Sequence, residues 1–171
     1  ASARPQEVHL AITDDISEMK VIWATMKNLE APFVELLPAG LDWAAAAEQV
    51  VTVTAVNHTY QVQKNWWPVF TGVLYEADMT GLDAGQAYQY RVGGTQHQLL
   101  QREVRRSQDF QFKAAPAPDP DRRTVIGCLA DQGTWMLLGF ATTNKLVEVQ
   151  DELGVDMVSA ALPTDSQLLI S

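Results

Sequence analysis

The chain has 171 residues, 47% of them hydrophobic and 19% charged, enough apolar material for one packed domain with an appendage and unlike a disordered composition. Its net charge of −9 argues against a broad electrostatic grip on nucleic acid or anionic lipid, and no run approaches the roughly 18 apolar residues of a membrane-spanning helix. The single cysteine, Cys128, excludes an intramolecular disulfide. It lies in the apolar run Val125–Leu129 and reads as a buried structural thiol, since no histidine stands in a motif with it. The chain opens at Ala1 without a methionine or a charged-then-apolar leader, which fits either a removed leader or a cut fragment.

Residues 1–114 read as a succession of short strands. Val8, Leu10 and Ile12 alternate with their neighbours, as do Met19, Val21 and Trp23, with the Asp14-Asp15 turn between. Phe33 to Leu36, between Pro32 and Pro38-Ala39-Gly40, makes a third. Asp42 to Glu48 is long enough for a helical turn but too short to stand alone, so it is expected as a loop packed on the sheets. Val51, Val53 and Ala55 predict one strand, and Tyr60 and Val62 another beyond the only glycosylation sequon, Asn57-His58-Thr59. Val73 to Ala77, Tyr88 to Val92, and Phe110 with Phe112 complete the set. Seven or so short strands separated by turn residues predict a two-sheet sandwich with Trp23 central in its core.

Two local patterns stand out. Leu82-Asp83-Ala84-Gly85-Gln86-Ala87-Tyr88 places a leucine, a turn and then a tyrosine six residues on, the spacing of a tyrosine corner. There the Tyr88 hydroxyl would bond back to the upstream backbone; the functional alternative is a binding-site aromatic. In Trp66-Trp67-Pro68 adjacent tryptophans cannot both face a strand's core. One ring is therefore expected at the surface, as a carbohydrate platform, a protein interface or simply a loop cover.

Residues 115–123 form a proline-rich linker, since alternating prolines keep the chain extended and remove amide donors. Beyond it, residues 124–171 change pattern. Thr124 to Ala130 is an apolar run of strand length, with a turn at Asp131 to Thr134. Thr142 or Thr143 is placed to cap a helix, along which Leu146, Val149 and Leu153 recur until Gly154. Val155 to Ala161 is a second apolar run. Strand, helix, strand reads as one βαβ crossover.

These motifs resemble, in order, the purple acid phosphatase family. Val8-His9-Leu10, Glu18 to Trp23, Tyr75 to Gly93 and Ser107 to Phe112 are similar to segments of that family's fibronectin-III-like N-terminal domain. Ala130-Asp131-Gln132-Gly133 stands where the metallophosphoesterase domain has Gly-Asp-x-Gly. The resemblance implies a fibronectin-III or immunoglobulin-like β-sandwich, followed by a truncated start of the α/β catalytic domain. It makes Asp131 the one family-like metal ligand. On the residues alone, without partner ligands, an aspartate such as Asp131 is more often a turn residue or a helix N-terminal acid.

The family's second motif, Gly-Asp-x-x-Tyr, is rewritten here. Over Leu162 to Ser166 its bridging carboxylate becomes Pro163 and its tyrosine becomes Ser166, with Asp165 out of place. No cofactor is therefore expected for this chain alone; a dinuclear centre of Fe with Fe, Zn or Mn is implied only where a full catalytic domain exists. The expectation is a secreted, non-catalytic structural module. Its orphan strands in 124–171 would need partners, suggesting a homo-oligomer or filament through strand addition. The sequon makes Asn57 a candidate glycosylation site, and neither nucleic acid nor a membrane span is expected. The alternatives are the front fragment of a metal-dependent phosphomonoesterase, or a glycan- or protein-binding sandwich.

Overall fold

The computed structural model describes residues 3–59, 72–98, 101–121, 123, 126–129 and 157–160. The chain divides into two compact units, with the break between Ala117 and Pro118.

The first unit is built from β1 (Gln6–Ile12), β2 (Met19–Thr25), β3 (Glu30–Pro38), β4 (Val51–Thr54), β5 (Val56–Thr59), β6 (Val73–Met79), β7 (Ala87–Gln98), β8 (Gln101–Arg106) and β9 (Phe110–Lys113). They form two antiparallel sheets, one ordered β1-β2-β6-β5 and the other β4-β3-β7-β8, with β9 also pairing β7. The long β7 serves two partners in turn. Its first half faces β9, with Tyr90 opposite Phe110, and its second half faces β8, with Gly93 opposite Arg106. Ser107 marks the handover: its amide donates to the Val92 carbonyl at 2.8 Å, and its hydroxyl accepts the Val92 amide at 3.0 Å.

The inner faces of both sheets supply one core. Val21, Trp23, Tyr75 and Met79 come from the first sheet, and Val34, Leu36, Tyr90, Val92, Phe110 and Phe112 from the second. Burying each such side chain contributes about 1.5 to 3 kcal/mol. Trp23 is fully buried and stacks on Tyr75, with centroids 5.4 Å apart. The indole N–H has no hydrogen-bond partner among the described residues, so packing is what this ring contributes. Tyr75 also fixes the β2–β3 connection, because its hydroxyl accepts the buried Leu29 amide at 2.7 Å and donates to Asn28 Oδ1 at 3.1 Å.

The structure adds detail at three places. The strand expected over Val51 to Ala55 is β4, ending at Thr54; beyond it the alternation runs on, but at Ala55 the extended chain changes sheets, pairing with β3 before it and, as β5, with β6 after it. The buried Ala55 anchors this crossing by donating its amide to the Pro32 carbonyl at 2.9 Å. Periodicity reports which face a residue occupies, not which strand it pairs with. The sequon Asn57-His58-Thr59 lies within β5. Strand β8 escaped notice because Arg102-Glu103-Val104-Arg105-Arg106 has one apolar residue; its pairing with β7 makes it a strand. At Asp42 to Glu48 the expected loop holds a turn in which Asp42 Oδ1 accepts the Ala44 and Ala45 amides, both at 2.9 Å, followed by a 3-10 helix at Ala47–Gln49.

In the second unit, β10 (Ile126–Leu129) and β11 (Met157–Ala160) pair in parallel, with Ile126 opposite Met157 and Leu129 opposite Ala160. The expected strand at Tyr60 and Val62, Trp66 and Trp67, Asp131, the helix through Leu146, Val149 and Leu153, and the rewritten motif at Pro163 and Ser166 all lie outside the described residues.

Candidate functional site

The densest set of interacting polar side chains lies on the outer face of the second sheet. Glu35 on β3 stands directly opposite Arg91 on β7, whose Nε donates to Glu35 Oε2. Arg106, at the end of β8, clamps the same carboxylate through both oxygens, Nε to Oε2 at 3.0 Å and Nη2 to Oε1 at 2.9 Å. Two guanidinium groups thus share one carboxylate that is only 12% exposed. Aromatic rings flank them: Arg91 lies 4.0 Å from the Trp43 ring centre, and Arg106 lies 5.5 Å from that of Phe33. The Trp43 indole N–H donates to Asp109 Oδ2 at 2.9 Å, and Gln89 Nε2 donates to the Leu41 carbonyl. These contacts hold the Leu41–Trp43 loop against the sheet.

Burial pushes the Glu35 carboxyl upward, but hydrogen bonds from Arg106 and Arg91 outweigh it and hold the group below the usual range. Hydrogen bonding to Glu35 likewise raises Arg106, so both groups are charged at neutral pH. Both carboxylate oxygens are occupied, so the arrangement offers neither a free base nor a nucleophile. It joins β3, β7, β8 and a loop into one surface. None of these residues stood out in the sequence, because the Glu35–Arg91 pairing depends on strand register. The available signal was a polar side chain at an outward position of two apolar strands.

Leu82 and Tyr88 meet at one end of the sandwich. Leu82 is buried, with its amide donating to the Ser17 carbonyl at 2.9 Å. The Asp83 amide donates to the Tyr88 hydroxyl at 2.9 Å, and the Tyr88 ring stacks on Phe112. Gly85 adopts φ +72°, the left-handed conformation that the turn between them requires. The departing chain is tied to the same turn, by Ala114 N–H to Gln86 O at 2.9 Å and Gly85 N–H to Ala115 O at 3.0 Å.

Asn57 is exposed on β5. Its neighbour His58 turns to the outer face, with Nε2 3.2 Å from Glu76 Oε1, beside Lys20, whose Nζ lies 2.8 Å from Asp78 Oδ1. Among the described residues no group of three or more His, Cys, Asp or Glu is arranged to hold a metal ion. No helix of the described residues is long and apolar enough to cross a membrane.

Residues 5–114 match the family described as purple acid phosphatase, N-terminal domain. No curated protein sequence matches the chain. Among solved structures, the fold is similar to purple acid phosphatase PPD1 from yellow lupin (Lupinus luteus) seeds, with a TM-score of 0.70 and 19% identity over 91% of this chain. The match spans 29% of the lupin chain. Astrotactin-2, described as a vertebrate-specific, perforin-like membrane protein, gives a TM-score of 0.42 at 8% identity, over 90% of this chain and 25% of its own. The family match covers the whole sandwich from β1 to β9, and the chain belongs to the purple acid phosphatase family, with residues 5–114 as its N-terminal domain.

Proposed function

We propose that this chain is a non-catalytic, extracellular support module, which carries an α/β sheet of the phosphatase type behind its sandwich. The observation that carries this reading is the parallel pairing of β10 with β11 downstream of the sandwich. A parallel pair needs a crossover connection and is at home only in sheets covered on both faces, as in an α/β domain. The likeness to the lupin structure extends over 91% of the chain, more than the sandwich unit alone contains, which supports the same reading. The sandwich contributes a rigid frame: a packed aromatic core, a saturated Glu35 clamp and a locked corner from which the chain departs.

The replacements at Pro163 and Ser166 support placing the chemistry elsewhere than in this chain. Their test is direct. The purified chain, incubated with iron, zinc or manganese, should hydrolyse p-nitrophenyl phosphate no faster than the metal-free sample. Hydrolysis that requires metal and disappears in Asp131→Asn would overturn the proposal.

A second reading is self-association through the orphan strands. It is favoured by the four-residue length of β10 and β11, which among the described residues pair only with each other. Light scattering that finds a monomer at micromolar concentration would dismiss it.

A further inference from the structure

We propose that Asn57 carries an N-linked oligosaccharide, and that this sugar closes one lateral edge of the sandwich to strand pairing with a second copy of the chain. The proposal stands apart from the phosphatase reading and concerns the sandwich alone.

Among the described residues, β4 is outermost in one sheet and β5 in the other, so the run Val51–Thr59 forms a complete side of the sandwich. An outermost strand presents unpaired backbone donors and acceptors, a template for another chain. Proteins blunt such edges with charge, proline or bulges, and the other edges here show these devices. β8 carries Arg102, Glu103, Arg105 and Arg106, and the pairing of β1 is interrupted by a register shift between Gln6 and His9. The run Val-Thr-Val-Thr-Ala-Val-Asn-His-Thr has no Lys, Arg, Asp, Glu, Pro or Gly. It is instead rich in β-branched residues, and two of its valines are conspicuously bare: Val51 is 51% exposed and Val56 60%. High β propensity without charge or proline is the pattern of an association-prone segment.

The only sequon in the sequence falls on this edge, the one that among the described residues lacks charge, proline and irregularity, and Asn57, His58 and Thr59 are all exposed. In the transfer, Asn57 Nδ2 forms a bond to the anomeric carbon of a lipid-pyrophosphate-linked oligosaccharide. The bond from that carbon to the pyrophosphate oxygen breaks, an amide proton passes to the transferase's base, and the lipid pyrophosphate leaves. Thr59 is the hydroxyl residue that the motif requires. A bulky, solvated sugar on the outermost strand then prevents a second strand from lying alongside.

The test uses the full chain produced through the secretory route of a eukaryotic host, with intact mass and light scattering as readouts. Wild type and Thr59→Ser should carry an increment of hexose and N-acetylhexosamine and remain dispersed. Asn57→Gln and Thr59→Ala should lack it and reach the weight-average mass of a dimer or larger. Adding Val56→Lys to Asn57→Gln should return the chain to the dispersed state by placing a charge on the bare edge. A wild-type chain without sugar overturns the proposal. So do sugar-free variants that match the wild-type size, or an association that Val56→Lys leaves untouched.

Discussion

Tyr88 reaches back five residues to accept the Asp83 amide at 2.9 Å while its ring stacks on Phe112 of the neighbouring strand. One side chain thereby couples a turn to the second sheet. Tyr88→Phe keeps the ring and removes the acceptor, so it should cost about 1 kcal/mol, the net worth of one partly buried hydrogen bond. Urea unfolding checks this as a lower midpoint at unchanged slope.

Tyr75→Phe should cost more. Its hydroxyl serves the Leu29 amide, and Leu29 is buried to 1% exposure, so the orphaned donor has no ready access to water. A loss of about 2 to 3 kcal/mol follows from leaving a buried donor unmade. Comparing the two phenylalanine variants side by side tests the reasoning: equal losses would contradict it.

Gly93→Ala should be severely destabilising. A Cβ at Gly93 would stand 2.2 Å from the Arg105 carbonyl oxygen and 3.1 Å from Phe33 Cζ. The nearer atom belongs to the backbone, so the β7–β8 pairing itself must shift, at a cost of about 2 to 4 kcal/mol, comparable to the larger steric and backbone effects. Thermal denaturation of the purified variant reads this as a lowered midpoint.

Ala31→Gly should behave in the opposite sense. Ala31 holds φ +44° at the irregularity between Glu30 and Phe33, a conformation that an alanine side chain disfavours. Glycine in a strand ordinarily weakens it, by roughly 0.5 to 1 kcal/mol. Here relief of the left-handed conformation offsets that loss, and the variant should equal or exceed the wild type in denaturant midpoint.

The Glu35 clamp predicts a pH dependence. Its carboxyl titrates below its ordinary value in the folded protein, so the stabilisation is fully present above the unfolded value near 4.5. It is lost as pH falls from there through the lower folded value. Glu35→Gln should flatten the fall in stability below about pH 5 and cost about 1 to 2 kcal/mol at neutral pH, discounted for partial solvent access. Parallel urea titrations at pH 7 and pH 4 distinguish this from a pH-independent packing loss.

Much of the sandwich could be read from local chemistry. The i, i+2 spacing picks out the inward residues of β2, β7 and β9 and, in β1, Val8 and Leu10 but not the exposed Ile12; β3 and β6 are legible as runs between turn residues, and the Leu82-to-Tyr88 spacing points to the corner that binds the Asp83 amide. Trp23, chosen as the central core residue, is fully buried against Tyr75. What escaped was everything that depends on pairing between distant segments. The change of sheets at Ala55 leaves the alternation intact, and charged β8 is a strand only because β7 lies beside it. Glu35, Arg91 and Arg106 are ordinary surface residues until strand register brings them together. Asn57 was visible as a sequon, but its place on the bare edge was not.

The measurement that tests the central claim most directly is the intact mass of the native polypeptide, taken with its phosphatase activity. A non-catalytic support module predicts no metal-dependent phosphatase activity from this chain, whatever the mass of the polypeptide that carries it. A native species of 18.9 kDa plus sugar, hydrolysing p-nitrophenyl phosphate with bound metal, would contradict it.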